Sequence, residues 1–329
     1  GENISHYTIK IDEDGIIDNE LARGEIKVIK KDSDDEYVIA RSNNVYEALD
    51  KIFMNNNICN TNIQITKSHP SFEEGDYIKD NTNVQSGSVV KNVLLEDYTG
   101  VRCVNCPAAG EGALELQHQY GHKVIVLGVH AGSLSSVPPN GLFPNFTTEE
   151  GTEWYNTFGL VGNPIGTINR KLNGATFGFD SSKWTEAVIA TLQEEAVVEM
   201  NSIVNFDEAS RNLEVSIFSK FLEEKIDTTF NLTVCIMEDS ITGMQVTPQG
   251  NNPNYVHRHV FRETMNGTWG ESLNGTTENP TVIAPKEMFI KTYTTTLDEA
   301  YNADQCYIIA YVANSETKEI LQVIEKKIK

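Results

Sequence analysis

Apolar positions change their spacing along the chain, and each stretch predicts a different kind of structure. To about residue 84, strand-like runs such as Tyr7-Thr8-Ile9-Lys10-Ile11 and Glu25-Ile26-Lys27-Val28-Ile29 alternate with acidic turns, and Val45, Leu49 and Ile52-Phe53 recur at helical spacing. That predicts a small α+β or β module over 1–84, with the polar stretch Asp80 to Ser88 as a linker. From 85 to 198 the pattern becomes strand, helix, strand, helix. Val93-Leu94-Leu95 is an apolar run, Ala109, Ala113, Leu116 and Tyr120 share one helical face, and Val124 to Val129 is apolar throughout, as in a parallel strand covered on both faces. Thr147-Thr148-Glu149-Glu150 signals a helix start, Gly162-Asn163-Pro164 precedes a short strand at Gly166 to Arg170, and Trp184, Val188 and Leu192 mark a last helix beginning near Ser181-Ser182.

From 199 to 329, period-two alternation dominates, as in Leu213, Val215, Ile217 and then Phe230, Leu232, Val234, Ile236. Further runs at Tyr255 to Arg262, Met288 to Tyr293 and Cys306 to Val312, separated by turns rich in Asn, Gly and Pro, predict a β-sandwich. The fold class expected is therefore multidomain, α/β plus all-β, with boundaries at 84/85 and 198/199.

Length and charge narrow the functions. A chain of 329 residues holds two or three cores, and a formal net charge of -21 without basic patches argues against a nucleic-acid partner. No run of about 20 apolar residues offers a membrane span. The chain opens Gly1-Glu2-Asn3 without Met, which reads as trimmed, so the lack of a leader pattern says nothing about compartment. Five cysteines are too few for a disulfide scaffold.

The chemistry concentrates in Cys103-Val104-Asn105-Cys106-Pro107, between the Val93 strand and the Ala109 helix. A spacing of two residues puts both sulfurs on the first helical turn, close enough to bridge, where free N–H groups favour a thiolate. Cys103 at the helix entrance is expected to attack and Cys106 to resolve. No second Cys-x-x-Cys pair exists, and Cys59, Cys235 and Cys306 lie far apart, so zinc is the minor reading. The pair is then a redox dithiol or a structural disulfide clamping a helix start. No cofactor is expected.

The strand, dithiol, helix, strand, helix, proline order resembles a thioredoxin fold. That likeness implies that Pro164 is cis and shapes a substrate groove beside the dithiol, and that Asp97, on the strand ahead, carries a proton to or from Cys106. Glu96 remains an alternative inward acid, since one strand has two faces. Arg102 stands where thioredoxins have Trp, Val104-Asn105 where they have Gly-Pro, and Asn163 where Thr or Val is usual.

More specifically, Leu94 to Gly100 leading into the cysteines, Val129-His130-Ala131-Gly132, Ile168-Asn169-Arg170, and Tyr255 to Val260 before Gly267-Thr268-Trp269-Gly270 resemble the Bacteroidetes lipoproteins related to the 28-kDa outer membrane protein. The resemblance covers roughly 85 to 329. It implies a thioredoxin-like domain followed by an immunoglobulin-like one, lipid-anchored at the cell envelope. The expected function is thiol-disulfide exchange with a protein thiol or disulfide as partner. The alternative is a non-catalytic surface binding or structural protein with a passive disulfide.

The remaining candidates each carry more than one reading. His130, at a strand end, caps a loop, tunes Cys103, or joins the sulfurs in binding copper as in copper-delivery relatives of thioredoxin. His257 and His259 share one face of a strand, a spacing that permits a metal, yet ordinary sheet surface is the expectation. Cys235 and Cys306 are expected to be buried and free, with pairing as the alternative.

Overall fold

The computed structural model describes four strands of the first 88 residues, and residues 89–329 except 140. The chain divides into two compact units, Gly1–Ser88 and Val89–Lys329. In the first unit, β1 (Ser5–Ile11), β2 (Gly24–Lys30), β3 (Glu36–Ser42) and β4 (Asn62–Lys67) form one sheet in the order β3-β2-β1-β4. β1 pairs antiparallel with β2 and parallel with β4. The expected helix around Val45 to Phe53 lies outside the described residues.

The second unit begins with β5 (Val93–Thr99), α1 (Cys106–Tyr120), β6 (Val124–His130), α2 (Glu149–Thr157), β7 (Ile165–Ile168) and α3 (Trp184–Leu192). Local signals account for these elements. Thr148 caps α2 by accepting a hydrogen bond from the Gly151 amide, and Asp180 accepts one from Ser182 ahead of α3. Ala109, Ala113 and Leu116 of α1 pack with Val93, Leu95, Val124 and Val126, and Trp184 and Val188 of α3 join the same core. β5 runs parallel to β6 and antiparallel to β7.

Strands follow: β8 (Val198–Phe206), β9 (Asn212–Phe221), β10 (Phe230–Glu238), β11 (Ile241–Thr247), β12 (Gly250–His257), β13 (Val260–Thr264), the two-residue β14 (Glu271–Ser272), β15 (Gly275–Thr276) and β16 (Asn279–Pro280), then β17 (Met288–Thr296), β18 (Cys306–Asn314) and β19 (Ile320–Lys327). β17-β9-β8 make one sheet, while β11 pairs with β12 and β15 with β16 as separate ribbons.

The largest sheet runs β19-β18-β10-β13-β6-β5-β7 and so crosses the boundary expected at 198/199. The join is parallel pairing of Val260 with Gly128, supported by a 2.7 Å hydrogen bond from the Gly128 amide to the His259 carbonyl. Gly128 suits this close pairing, because a Cβ would stand a tight 3.1 Å from the Arg258 carbonyl oxygen. Burial explains why the two halves are not separate. Leu232, Val234 and Ile236 of β10, with Ile308 and Ala310 of β18, face the three-stranded sheet. On the other face, Cys235, Met237, Ile309 and Tyr311 meet Leu94, Tyr98, Trp154 and Phe158. β10 and β18 are thus buried on both faces, not the half-buried strands that period-two alternation predicts.

Candidate functional site

The two sulfurs are bonded to each other, with the Cα atoms of Cys103 and Cys106 5.3 Å apart. Their placement differs from the expectation. The helix opens at Cys106, and Cys103 sits in the preceding turn, where its amide donates to the Gly100 carbonyl at 3.0 Å. Pro107 explains the start, since a residue without an N–H fits the first helical turn. The helix terminus therefore lies at Cys106. Cys103 is 1% exposed and Cys106 3% exposed, while Val104 and Asn105 between them are exposed.

Both walls of this turn are built by close approach. At Gly100 a Cβ would fall 2.6 Å from the Leu134 backbone, so only glycine lets the two loops touch. Arg102 is bound to the facing loop, its amide donating to the Leu134 carbonyl and its guanidinium to the Ser133 carbonyl at 2.5 Å. On the other side, the Gln245 amide group donates to the carbonyls of Cys103 at 2.9 Å and Gly100 at 3.2 Å. The Val246 amide donates to Val101 at 2.9 Å.

The Asn163-Pro164 peptide is cis, as the resemblance implied for Pro164. Asn163 has a part of its own. Its side-chain amide donates to the carbonyls of Tyr98 at 3.0 Å and Ala131 at 3.2 Å, tying the proline loop to the ends of β5 and β6.

Adjacent carboxylates on β5 go to opposite faces. Glu96 lies with Arg170, whose Nη2 donates to Oε1 at 2.7 Å and also to the Tyr311 hydroxyl at 2.8 Å, while Thr167 donates to Oε2 at 2.5 Å. Asp97 lies on the α1 side, 5% exposed, and its Oδ1 has no hydrogen-bond partner. Burial pushes its carboxyl up to about 7. Asp97 and Cys106 line one cavity of about 220 Å³ with His130, Gln245, Tyr255, His257 and His259.

The histidines are where sequence reading fell short. His257 and His259 are 3% and 6% exposed, so they are not sheet surface. The run through them breaks into two strands at His259, which takes a positive φ of 54° and turns its ring toward Gln117, 2.8 Å away. Burial holds His130 down to about 3, with His257 and Arg262 adding to it, and holds His257 and His259 down to about 4. All three are neutral rings. His130 and His257 stand 5.8 Å apart, each 4.9 Å from Phe146. Among the described residues no group of three His, Cys, Asp or Glu side chains is suited to a metal ion. Gln245 was missed altogether, because its partners are more than a hundred residues away and its own strand carries no cue. Cys235 and Cys306 are buried and free, as expected.

The family model described as outer membrane protein Omp28 matches residues 152–329, which includes Pro164, Gln245 and His257 but begins after the cysteines and Asp97. Among solved structures, HBP35 of Porphyromonas gingivalis is similar in fold, with a TM-score of 0.54 and 18% identity over 74% of this chain and 77% of that one. A protein of Agrobacterium tumefaciens aligns over 75% of this chain and 97% of its own, at 14% identity and a TM-score of 0.45. A domain of the outer membrane lipoprotein Omp28 from Porphyromonas gingivalis aligns over 41% of this chain and 89% of its own, at 18% identity and a TM-score of 0.28. No curated protein matches the chain.

Proposed function

The chain belongs to the Omp28 family of outer membrane proteins of the cell envelope, and from that premise we propose that it carries a thiol-disulfide exchange site on a thioredoxin-like scaffold. In this reading the thioredoxin-like module spans 85–198 and an immunoglobulin-like module 199–329, the two sharing one sheet, with a lipid anchor holding the protein at the membrane. The partner is a protein thiol or disulfide.

The observation that carries the proposal is the carboxyl of Asp97, buried and without a hydrogen-bond partner at Oδ1, on the same cavity as Cys106. A passive clamp has no use for such a group. A resolving thiol does, since it must gain a proton when the disulfide opens and lose one when it closes, and a carboxyl titrating near 7 serves both directions. In this reading Cys103 attacks or is attacked, Cys106 resolves, Asp97 moves the proton, and the cis Pro164 serves as the wall of the substrate groove. Asn163 positions that wall.

The test is dithiol-driven reduction of a disulfide-linked protein substrate by the full chain and by Cys103→Ser. The wild type is expected to accelerate it and the variant not; equal rates would sink the proposal. The near-complete burial of both cysteines favours a second reading, a structural disulfide on a scaffold that binds a partner elsewhere. A reduction potential below about -300 mV would mark that case.

A further inference from the structure

The connection from β10 to β13 is far longer than its ends require. Glu238 and Val260 are register partners in adjacent antiparallel strands, so residues 239–259 leave the sheet and return to the same place. Within that excursion β11 and β12 pair with each other and join no other sheet. Nearly every side chain on the two strands is exposed or half-buried. The exceptions are Gln245 and His257.

Those two residues and one backbone hydrogen bond, with Ile241 packed against the Val101, Phe146 and Val260 cluster, fasten the ribbon over the cysteine turn. Gln245 donates to the carbonyls on both sides of Arg102, at Gly100 and Cys103, and the Val246 amide donates to Val101 between them. His257 reaches into the cavity behind Cys106 and packs on Phe146. The contact involves a segment of four residues, and its far end is the bonded cysteine itself.

We propose that β11–β12 is a strap over the Cys103–Cys106 disulfide, and that exchange requires its release from the 100–103 turn. The proposal rests on the exchange reading above, because only an exchanging pair needs access. A segment with two buried anchors and a pinned base can open locally while the rest of the unit stays folded. Once it is open, a thiolate of an incoming dithiol attacks the Cys103 sulfur. The S–S bond breaks, Cys106 leaves and takes the proton of Asp97, and Asp97 regains through solvent the proton that the first thiol lost on forming its thiolate. The second thiol then releases Cys103 from the mixed disulfide. In sum two electrons and two protons pass from the dithiol to the pair, and the dithiol becomes a disulfide.

Reduction by a small water-soluble phosphine reads access without needing catalysis. On the full oxidised chain, Gln245→Ala and Gln245→Glu are expected to speed reduction of Cys103–Cys106 about tenfold, the size expected from losing one or two hydrogen bonds; rates within twofold of wild type overturn the strap. Hydrogen exchange of the wild type supplies a check that needs no variant. The Val246 amide is expected to exchange much faster than that of Leu95 in β5, and equal rates, meaning release only by global unfolding, overturn the proposal as well. The two readings separate cleanly: faster phosphine reduction with no dithiol activity removes the exchange site and keeps the strap, while unchanged phosphine rates with normal dithiol activity do the reverse.

Discussion

Glu96 and Asp97 are neighbours on one strand, both buried, and the protein treats them in opposite ways. On the Glu96 face, Arg170 supplies a fork of hydrogen bonds, Thr167 another, and the guanidinium is walled by Trp154 at 4.8 Å, Tyr311 at 4.9 Å and Phe158 at 5.2 Å. On the Asp97 face the nearby histidines are held neutral, and Oδ1 has no partner. The first arrangement fixes geometry. It links β5, the second residue after β7, and β18, and so joins the two halves of the unit. The second leaves a carboxyl whose charge is barely stabilised, which is what a proton carrier needs and a structural joint avoids.

The joint gives the largest expected effect. Arg170→Met leaves the Glu96 carboxylate buried without its cation, and stability is expected to fall by about 3–5 kcal/mol in urea unfolding. Adding Glu96→Gln to that variant removes the stranded charge, so the double variant is expected to be more stable than Arg170→Met alone. A loss under about 1 kcal/mol for Arg170→Met breaks the comparison, because the two carboxylates would then be alike.

Asp97 is expected to answer in pH, with a sign opposite to that of an ion-paired acid. Its folded carboxyl is raised to about 7 against an unfolded value near 4, so the folded state holds the extra proton between those limits. Stability from this group is complete below about pH 4 and is lost as pH rises toward 7. Asp97→Asn removes the loss. Its advantage over wild type is expected to grow from near zero at pH 4 to on the order of 2–4 kcal/mol at pH 8. Glu325, also raised to about 7 by burial, titrates in the same window, so the difference between the two proteins is the quantity to measure. A difference flat across pH would mean that Asp97 is not a neutral buried acid.

Much of the Asp97 face could be read from sequence because its signals are local. The apolar run at Val124, the Ala109 stripe, the Thr148 cap and the order of Asp97, the cysteines and Pro164 each lie within a few residues of what they predict. The joint and the Gln245 contact could not. Arg170 meets Tyr311 across 141 positions and Gln245 meets Cys103 across 142, and no periodicity encodes either contact. The fused sheet had a faint cue. Between the alternating Leu232, Val234 and Ile236 stand Thr233, Cys235 and Met237, which are not the charged residues a solvent face prefers, and the second core lies against that side. Alternation alone suggested a free-standing sandwich, and the boundary at 198/199 followed from it.

The smallest effect sharpens the comparison from the histidine side of the same cavity. His130 is buried with Nδ1 unpartnered and its ring held to about 3, so at neutral pH it is an uncharged ring packed edge-on to Phe146. His130→Phe keeps the shape and removes an unpaired polar atom, so at pH 7 stability is expected to change by less than about 1 kcal/mol. On acidification the sign reverses relative to Asp97. A histidine with a depressed folded value contributes stability that is present above about 6.5 and is lost as pH falls toward 3, because the unfolded chain takes up the proton first. At pH 5, His130→Phe is therefore expected to gain about 2 kcal/mol over wild type, while Asp97→Asn gains less there than at pH 8. Urea titrations of the three proteins at pH 5 and pH 8 decide it. If His130→Phe instead loses stability in parallel at both, the ring is held by its polar edge, and the cavity is a structural polar cluster like the one around Glu96, not the open face that the proposed proton transfer between Asp97 and Cys106 requires.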